Sequence, residues 1–195
     1  SLPVQLTEGR HTLKVRVKSG EFLIKRLSFI HVSNGEKKEL NFPAEAGTYG
    51  KKLFGSTSWS NYTVSARVKA DLRNADSKAG LLIRVTEPSE GGEGENPVLG
   101  IHFFIGYSIS FTGEELVVSR HRYDEKILGI CPFRMEADRF YEICVEVQGD
   151  EISVCMEGES DPVLIVKDTE PITHGCPGIW AKDSVITVER ADVSM

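Results

Sequence analysis

Apolar and polar residues alternate along most of this chain. Tyr62, Val64, Ala66 and Val68 are set against Thr63, Ser65, Arg67 and Lys69, the period of a strand with one buried face. Leu81, Ile83 and Val85 repeat the pattern against Leu82 and Arg84. Ile101, Phe103, Ile105, Tyr107, Ile109 and Phe111 make one side of a long run, leaving His102, Phe104, Gly106, Ser108 and Ser110 on the other. Val145 and Val147 lead into Gly149-Asp150, and Ile152 and Val154 lead out, which predicts a hairpin with Glu146, Gln148, Glu151 and Ser153 turned outward. "DSVITVERADV" is a last alternating run. No segment sustains a helical period. Many short strands separated by Gly, Pro, Asn and Asp predict an all-β fold, an antiparallel β-sandwich. "EPSEGGEGENP", from Glu87 to Pro97, cannot form a strand and is expected to be an exposed loop.

At the other end, "GRHTLKVRVKSGEFLIKRLSFI" holds two further alternating runs, with Leu13, Val15 and Val17 in one and Leu27 and Phe29 in the other. A lone hairpin is marginal in water, so this one is expected to pack on the sandwich. The predicted division is a hairpin over residues 1–35 and a sandwich over residues 36–195. A chain of 195 residues holds one domain, with or without such an appendage. Ser1-Leu2-Pro3 reads as a cut end rather than a signal peptide or a natural start.

Charge and cysteine usage narrow the function. The net charge is −6 with scattered acidic residues, where a phosphate-tracking surface needs an excess of Lys and Arg, so nucleic acid is not an expected partner. No apolar run is long enough to cross a membrane. Cys131, Cys144, Cys155 and Cys176 form no CxxC pair and have no zinc-ligand spacing. The predicted Gly149-Asp150 turn sets Cys144 opposite Cys155 at a hydrogen-bonded pair, where the Cβ atoms lie farther apart than at the alternate pairs, so free thiols are expected. Glu87, Glu90, Glu93 and Glu95 could collect a structural calcium, although nothing in that loop fixes a ligand geometry, and a solvated loop is the plainer reading.

Glycosidase chemistry needs two carboxyl groups held across the scissile bond, and an E-x-D-x-E strand would supply them on one face. The chain has no such triplet, and Glu151 and Glu157 in "GDEISVCMEGES" lie too far apart. It also lacks a G-x-S-x-G elbow, an H-E-x-x-H helix and a P-loop. Arg84, His102, Phe104, His121 and Tyr123 instead gather on one outer sheet face if the strands pair in sequence. An aromatic plane beside planar hydrogen-bonding groups suits the C–H face and hydroxyls of a sugar. Each has a plainer reading as well: a solvated Arg, a His satisfying a neighbour, a Phe104 covered by a loop. Trp59 and Trp180 read as core or edge packing. Asn61-Tyr62-Thr63 matches a glycosylation sequon, a weak pattern.

The order of "WSNYTVSARVK", "AGLLIRV", "GYSISF…EELVVSRHR", "YEICVEVQGDEISVCMEG…PVLIVKD" and "HGCPGIWAKDSVITVERADV" resembles the concanavalin A-like (laminin-G-like) jelly rolls. It looks most like the carbohydrate-binding modules appended to glycoside hydrolases, the family 66 type among them, over Leu40 to Val193. Arg84 matches a position where such domains often place a polar residue facing the ligand, and its planar fork is expected to bond adjacent sugar hydroxyls. The opening hairpin is similar to the last strands of family 6-type sugar-binding modules. It is therefore either the end of a preceding module or this domain's own first hairpin. The resemblance implies a non-catalytic module of a secreted bacterial glycoside hydrolase, monomeric, extracellular, and bound to polysaccharide or oligosaccharide beside a catalytic domain of the same chain. Two alternatives stay open: a catalytic jelly-roll hydrolase using Glu146 and Glu151, and a structural domain that binds no sugar.

Overall fold

A computed structural model describes residues 38–41, 49–86, 104–122 and 124–195. Within them the chain forms β1 (Lys38–Asn41), β2 (Tyr49–Leu53), β3 (Tyr62–Leu72), β4 (Lys78–Val85), β5 (Gly106–Phe111), β6 (Glu115–His121), β7 (Glu125–Pro132), β8 (Tyr141–Gln148), β9 (Glu151–Met156), β10 (Leu164–Lys167), β11 (Cys176–Lys182) and β12 (Ser184–Ser194). The strands pair antiparallel into two six-stranded sheets, in the orders β1-β12-β3-β8-β9-β10 and β2-β11-β4-β5-β6-β7. The predicted hairpin of residues 1–35 and the loop of residues 87–97 lie outside the described residues.

The alternation of the sequence becomes the core. Val64, Ala66, Val68, Ile143, Val145 and Val154 of the first sheet meet Leu81, Ile83, Tyr107, Ile109, Phe111 and Val118 of the second, all essentially excluded from solvent. Burial at roughly 25 cal/mol per Å² of apolar surface makes this layer the main favourable contribution to folding. The Gly149-Asp150 turn is observed with Val147 opposite Ile152 and Cys144 opposite Cys155. Gly149 takes φ +57° and Asp150 stays outside the left-handed region, as a type II′ turn with Gly first requires.

In β4 the alternation fails. Arg84, expected on the outer face, points inward and is 1% exposed. Its backbone has φ +49°, and β4 carries one more residue than β11 between the pairs Leu82–Gly178 and Val85–Cys176. This is a β-bulge, whose extra residue reverses the facing of the strand beyond it. The Arg84 N–H leaves the ladder and donates to the Tyr62 hydroxyl at 2.6 Å. Its guanidinium crosses to the end of the first sheet, donating to the carbonyls of Ser60 (2.8 Å), Gly149 (2.7 Å) and Ile172 (2.7 Å) and to Asn61 Oδ1 (3.2 Å). Burial pulls its pKa below the ordinary arginine value, against the favourable influence of Tyr107 and Tyr62.

The segment between β10 and β11 closes the same end of the sandwich. Buried Asp168 accepts from Tyr107 Oη at 2.9 Å and from Arg120 Nη1 at 2.8 Å, and the Ile172 N–H donates to Tyr107 Oη at 2.8 Å. Gly175 rests on the backbone of Arg84 so closely that a Cβ would come within 2.2 Å of the Arg84 carbonyl carbon, and its φ is +145°. Arg84 is therefore predicted to be a stability determinant. Arg84→Ala strands several buried carbonyls, at about 1–3 kcal/mol for each one left unsatisfied, and should lower Tm by several degrees or more. Arg84→Lys should not restore it, since an ammonium lacks the planar fork. An unchanged thermal melt for Arg84→Ala overturns this assignment.

Candidate functional site

The outer face of the second sheet carries the best-formed cluster of polar and aromatic side chains. In the hydrogen-bonded register Ser108 of β5 faces Ser119 of β6, His121 faces Gly106, and Glu125 of β7 faces His121. These positions alternate with the core residues Tyr107, Ile109 and Val118, so period two sends them outward. Lys78 enters from β4, with its ammonium 2.8 Å from Glu125 Oε1 and 3.1 Å from Oε2. Ser119 Oγ donates to Glu125 Oε1 at 3.0 Å, and Ser108 Oγ lies 2.9 Å from His121 Nε2.

An apolar floor adjoins this cluster. Leu82, Val85, Phe104, Cys176 and Trp180 form a second buried group on the outer side of β4 and β11, distinct from the core between the sheets. The His121 ring packs on Phe104 with centroids 4.3 Å apart, and Trp180 stands edge-on to both at 6.4 Å from Phe104 and 6.3 Å from His121. Phe104 and Trp180 are only 5% and 3% exposed, so they shape and stiffen the site rather than offer an open stacking plane. The groups that reach the surface are Lys78 and Glu125, whose side chains are 25% and 38% exposed.

Burial pulls the His121 pKa down to about 4, with the neighbouring Lys78 charge acting the same way and the Glu125 and Asp124 charges opposing. The imidazole is therefore neutral near pH 7 and both donates and accepts one hydrogen bond. Burial raises the Glu125 pKa, but the Lys78 hydrogen bond and charge outweigh this and hold the carboxyl below its usual range. A general acid needs a raised pKa, so Glu125 is suited to accepting hydrogen bonds rather than to protonating a leaving group. Elsewhere, Glu151 is ion-paired with Lys167 at 3.3 Å, and Glu146 faces Ser153 on the other sheet. Among the described residues no group of three or more His, Cys, Asp or Glu is arranged to hold a metal. The four glutamates of the 87–97 loop, the candidates for calcium, fall outside the described residues.

Of the residues that stand out in the sequence, Phe104 and His121 come together on this face. Arg84 does not join them, because the bulge turns it into the end of the sandwich. His102 and Tyr123 lie outside the described residues. Sequence reasoning missed Lys78, Ser108, Ser119 and Glu125. Their signal is faint: small polar residues at the outward positions of two otherwise apolar strands, "GYSISF" and "ELVVSRH". Trp59 packs against the main core and stands edge-on to Tyr62 at 6.1 Å, consistent with the packing role expected for it.

Comparison with solved structures places this architecture. The chain aligns with the carbohydrate-binding module CBM66 from Bacillus subtilis at a TM-score of 0.58 and 10% identity, over 82% of this chain and 92% of that one. This chain has the fold of a β-sandwich jelly roll. A protein of unknown function with a galectin-like fold from Bacillus subtilis aligns at a TM-score of 0.59 and 10% identity, over 77% and 79% of the two chains. The Emp46p carbohydrate recognition domain, in its metal-free form, aligns at 0.56 and 11%, over 85% of each chain. At such identities the likeness is one of fold. Neither the protein-family models nor the curated protein sequences give a match.

The neutral His121 should leave a mark on stability. Its folded pKa of about 4 lies below the unfolded value of 6.5, so the unfolded chain binds more protons between those limits. The stability gained by keeping His121 neutral is complete above pH 6.5 and is lost as pH falls toward 4, at up to about 1.4 kcal/mol per pH unit. His121→Gln should flatten the Tm profile across that window. Parallel profiles for the two proteins rule out a buried neutral imidazole.

Proposed function

We propose that this domain is a non-catalytic carbohydrate-binding module that holds a sugar at the Lys78–Glu125 face of the second sheet. The observation that carries the reading is the exposed Lys78–Glu125 pair, an ammonium beside a carboxylate, held from beneath by buried Ser119, the neutral His121 imidazole and an aromatic floor. Sugar hydroxyls both donate and accept, so a site rich in both functions and fixed by hydrogen bonds and packing is matched to them. The lowered carboxyl pKa of Glu125 keeps it ionised near neutral pH, ready to accept hydrogen bonds from sugar hydroxyls. The carbohydrate-binding domains that share the fold support this choice of ligand class. Within this reading the domain belongs to a secreted bacterial glycoside hydrolase, where it raises the local concentration of its catalytic partner on polysaccharide.

A glycan array followed by titration calorimetry at high ligand concentration tests this. Lys78→Ala and Glu125→Gln should each weaken the best ligand by about ten- to a hundred-fold, equivalent to about 1.5–3 kcal/mol for a charged hydrogen bond. Glu146→Gln on the opposite sheet should bind as the parent does. No bound glycan, or binding indifferent to both variants, overturns the site. Hydrolysis of an array ligand abolished by Glu146→Gln or Glu151→Gln points instead to a catalytic jelly roll.

A further inference from the structure

The outer face of the first sheet holds two thiols at directly opposed positions. The β8–β9 hairpin turns at Gly149-Asp150 with Gln148 opposite Glu151, and counting back from a two-residue turn makes every second pair a hydrogen-bonded one. The Glu157 N–H donating to the Glu142 carbonyl at 2.9 Å falls on the same count. Cys144 and Cys155 therefore occupy a hydrogen-bonded pair, and both are reduced and partly exposed. Cys131 faces Leu116 and Cys176 faces Val85, both in the other sheet.

Partner Cα atoms at a hydrogen-bonded pair are about 5.5 Å apart, inside the roughly 4.4–6.8 Å span of disulfides. The Cβ atoms at such a pair are farther apart than a relaxed disulfide prefers. Bond formation is thus within reach, but the sheet holds the two sulfurs back from an unstrained geometry. We infer that Cys144 and Cys155 form a reversible cross-strand redox pair, closed by small-molecule disulfides such as glutathione disulfide and reopened by the corresponding thiol.

The chemistry balances as thiol–disulfide exchange. One cysteine thiolate attacks glutathione disulfide, forming a mixed disulfide and expelling one glutathione thiolate. The facing cysteine, after losing its proton, attacks the protein sulfur of that mixed disulfide and expels the second. The protein loses two S–H bonds and gains one S–S bond, and its two electrons reduce the oxidant to two thiols. Burial and the adjacent Cys144 and Glu146 push the Cys155 thiol up, which lowers its thiolate fraction and slows exchange at that sulfur. Strained disulfides are the labile ones, so the closed form should be reduced readily. The pair lies on the sheet opposite the proposed sugar site and does not depend on that reading.

The full chain should be equilibrated with glutathione disulfide, its remaining thiols alkylated, and the product examined by intact mass and peptide mapping. The expected product has lost two hydrogens, contains a peptide linking Cys144 to Cys155, and returns to the dithiol when reduced glutathione is added. Cys155→Ser should instead retain a glutathione adduct on Cys144, because the resolving thiol is gone. Stable adducts in the parent without the linked peptide, a link to Cys131 in its place, or a link that reduced glutathione cannot open each overturn the inference.

Discussion

A guanidinium that keeps its charge inside a protein needs acceptors on several sides, and meeting that need at Arg84 fixes how one end of this sandwich closes. Its four side-chain partners come from the entry to β3, the β8–β9 turn and the segment leading into β11. All are neutral carbonyl oxygens, so the charge is dispersed over dipoles rather than cancelled by a carboxylate. Such a set is satisfied only when all those segments are in place, which couples the two sheets at that end. On the far side of Tyr107, Asp168 does the converse, a buried carboxylate held by Tyr107 and Arg120. Together the two groups tether the chain between β10 and β11.

The same bulge that turns Arg84 inward also shapes the opposite surface. With one extra residue in β4, Val85 joins Leu82 on the outer side, where it meets Phe104, Cys176 and Trp180. Without the bulge Val85 would face the core and this floor would lose a member. A non-glycine residue with φ near +50° costs roughly 1–2 kcal/mol, a penalty that the guanidinium's hydrogen bonds offset. The interior staple and the outer floor are thus two consequences of one backbone irregularity.

That irregularity explains which parts of the protein were legible in its sequence. The β3 alternation, the Gly149-Asp150 hairpin, the inner face of β5 and the first half of β12 follow from period two, because burial of one face fixes register. Beyond Val188 a further bulge at Glu189 moves the inner positions of β12 to Ala191 and Val193. "LLIRV" reads as a regular strand, since nothing in it marks a bulge. The usual sign is a glycine at the left-handed position, and here that position is Arg84 itself. The site was half legible for a related reason. Phe104 is conspicuous as a large ring on a polar side, whereas Ser108, Ser119 and Glu125 look like ordinary outward residues until strand pairing brings them together. Lys78 is 47 residues away from Glu125 in sequence and separated from it by two strands in the sheet, so their pairing across β5 and β6 leaves no local trace in the sequence.

The two outer faces differ in a way that bears on ligand chemistry. On the first sheet, Arg67 and Arg190 are cross-strand partners, an unfavourable pairing relieved by Glu189 on Arg67 and Glu142 on Arg190. Arg67 and Lys69 also lie over the Phe140 ring. Long side chains cover that surface and leave its charges matched among themselves. On the second sheet, buried serines occupy the corresponding outward positions of β5 and β6, and the Lys78–Glu125 pair is the charged group that reaches solvent there. An ionic ligand would have to compete with one member of that pair for the other. A hydroxyl can donate to the carboxylate while accepting from the ammonium, leaving the pair intact, and adjacent hydroxyls on a ring can do so at more than one point. This local balance of charge, more than the presence of aromatic rings, is what suits the face to a neutral polyhydroxylated ligand.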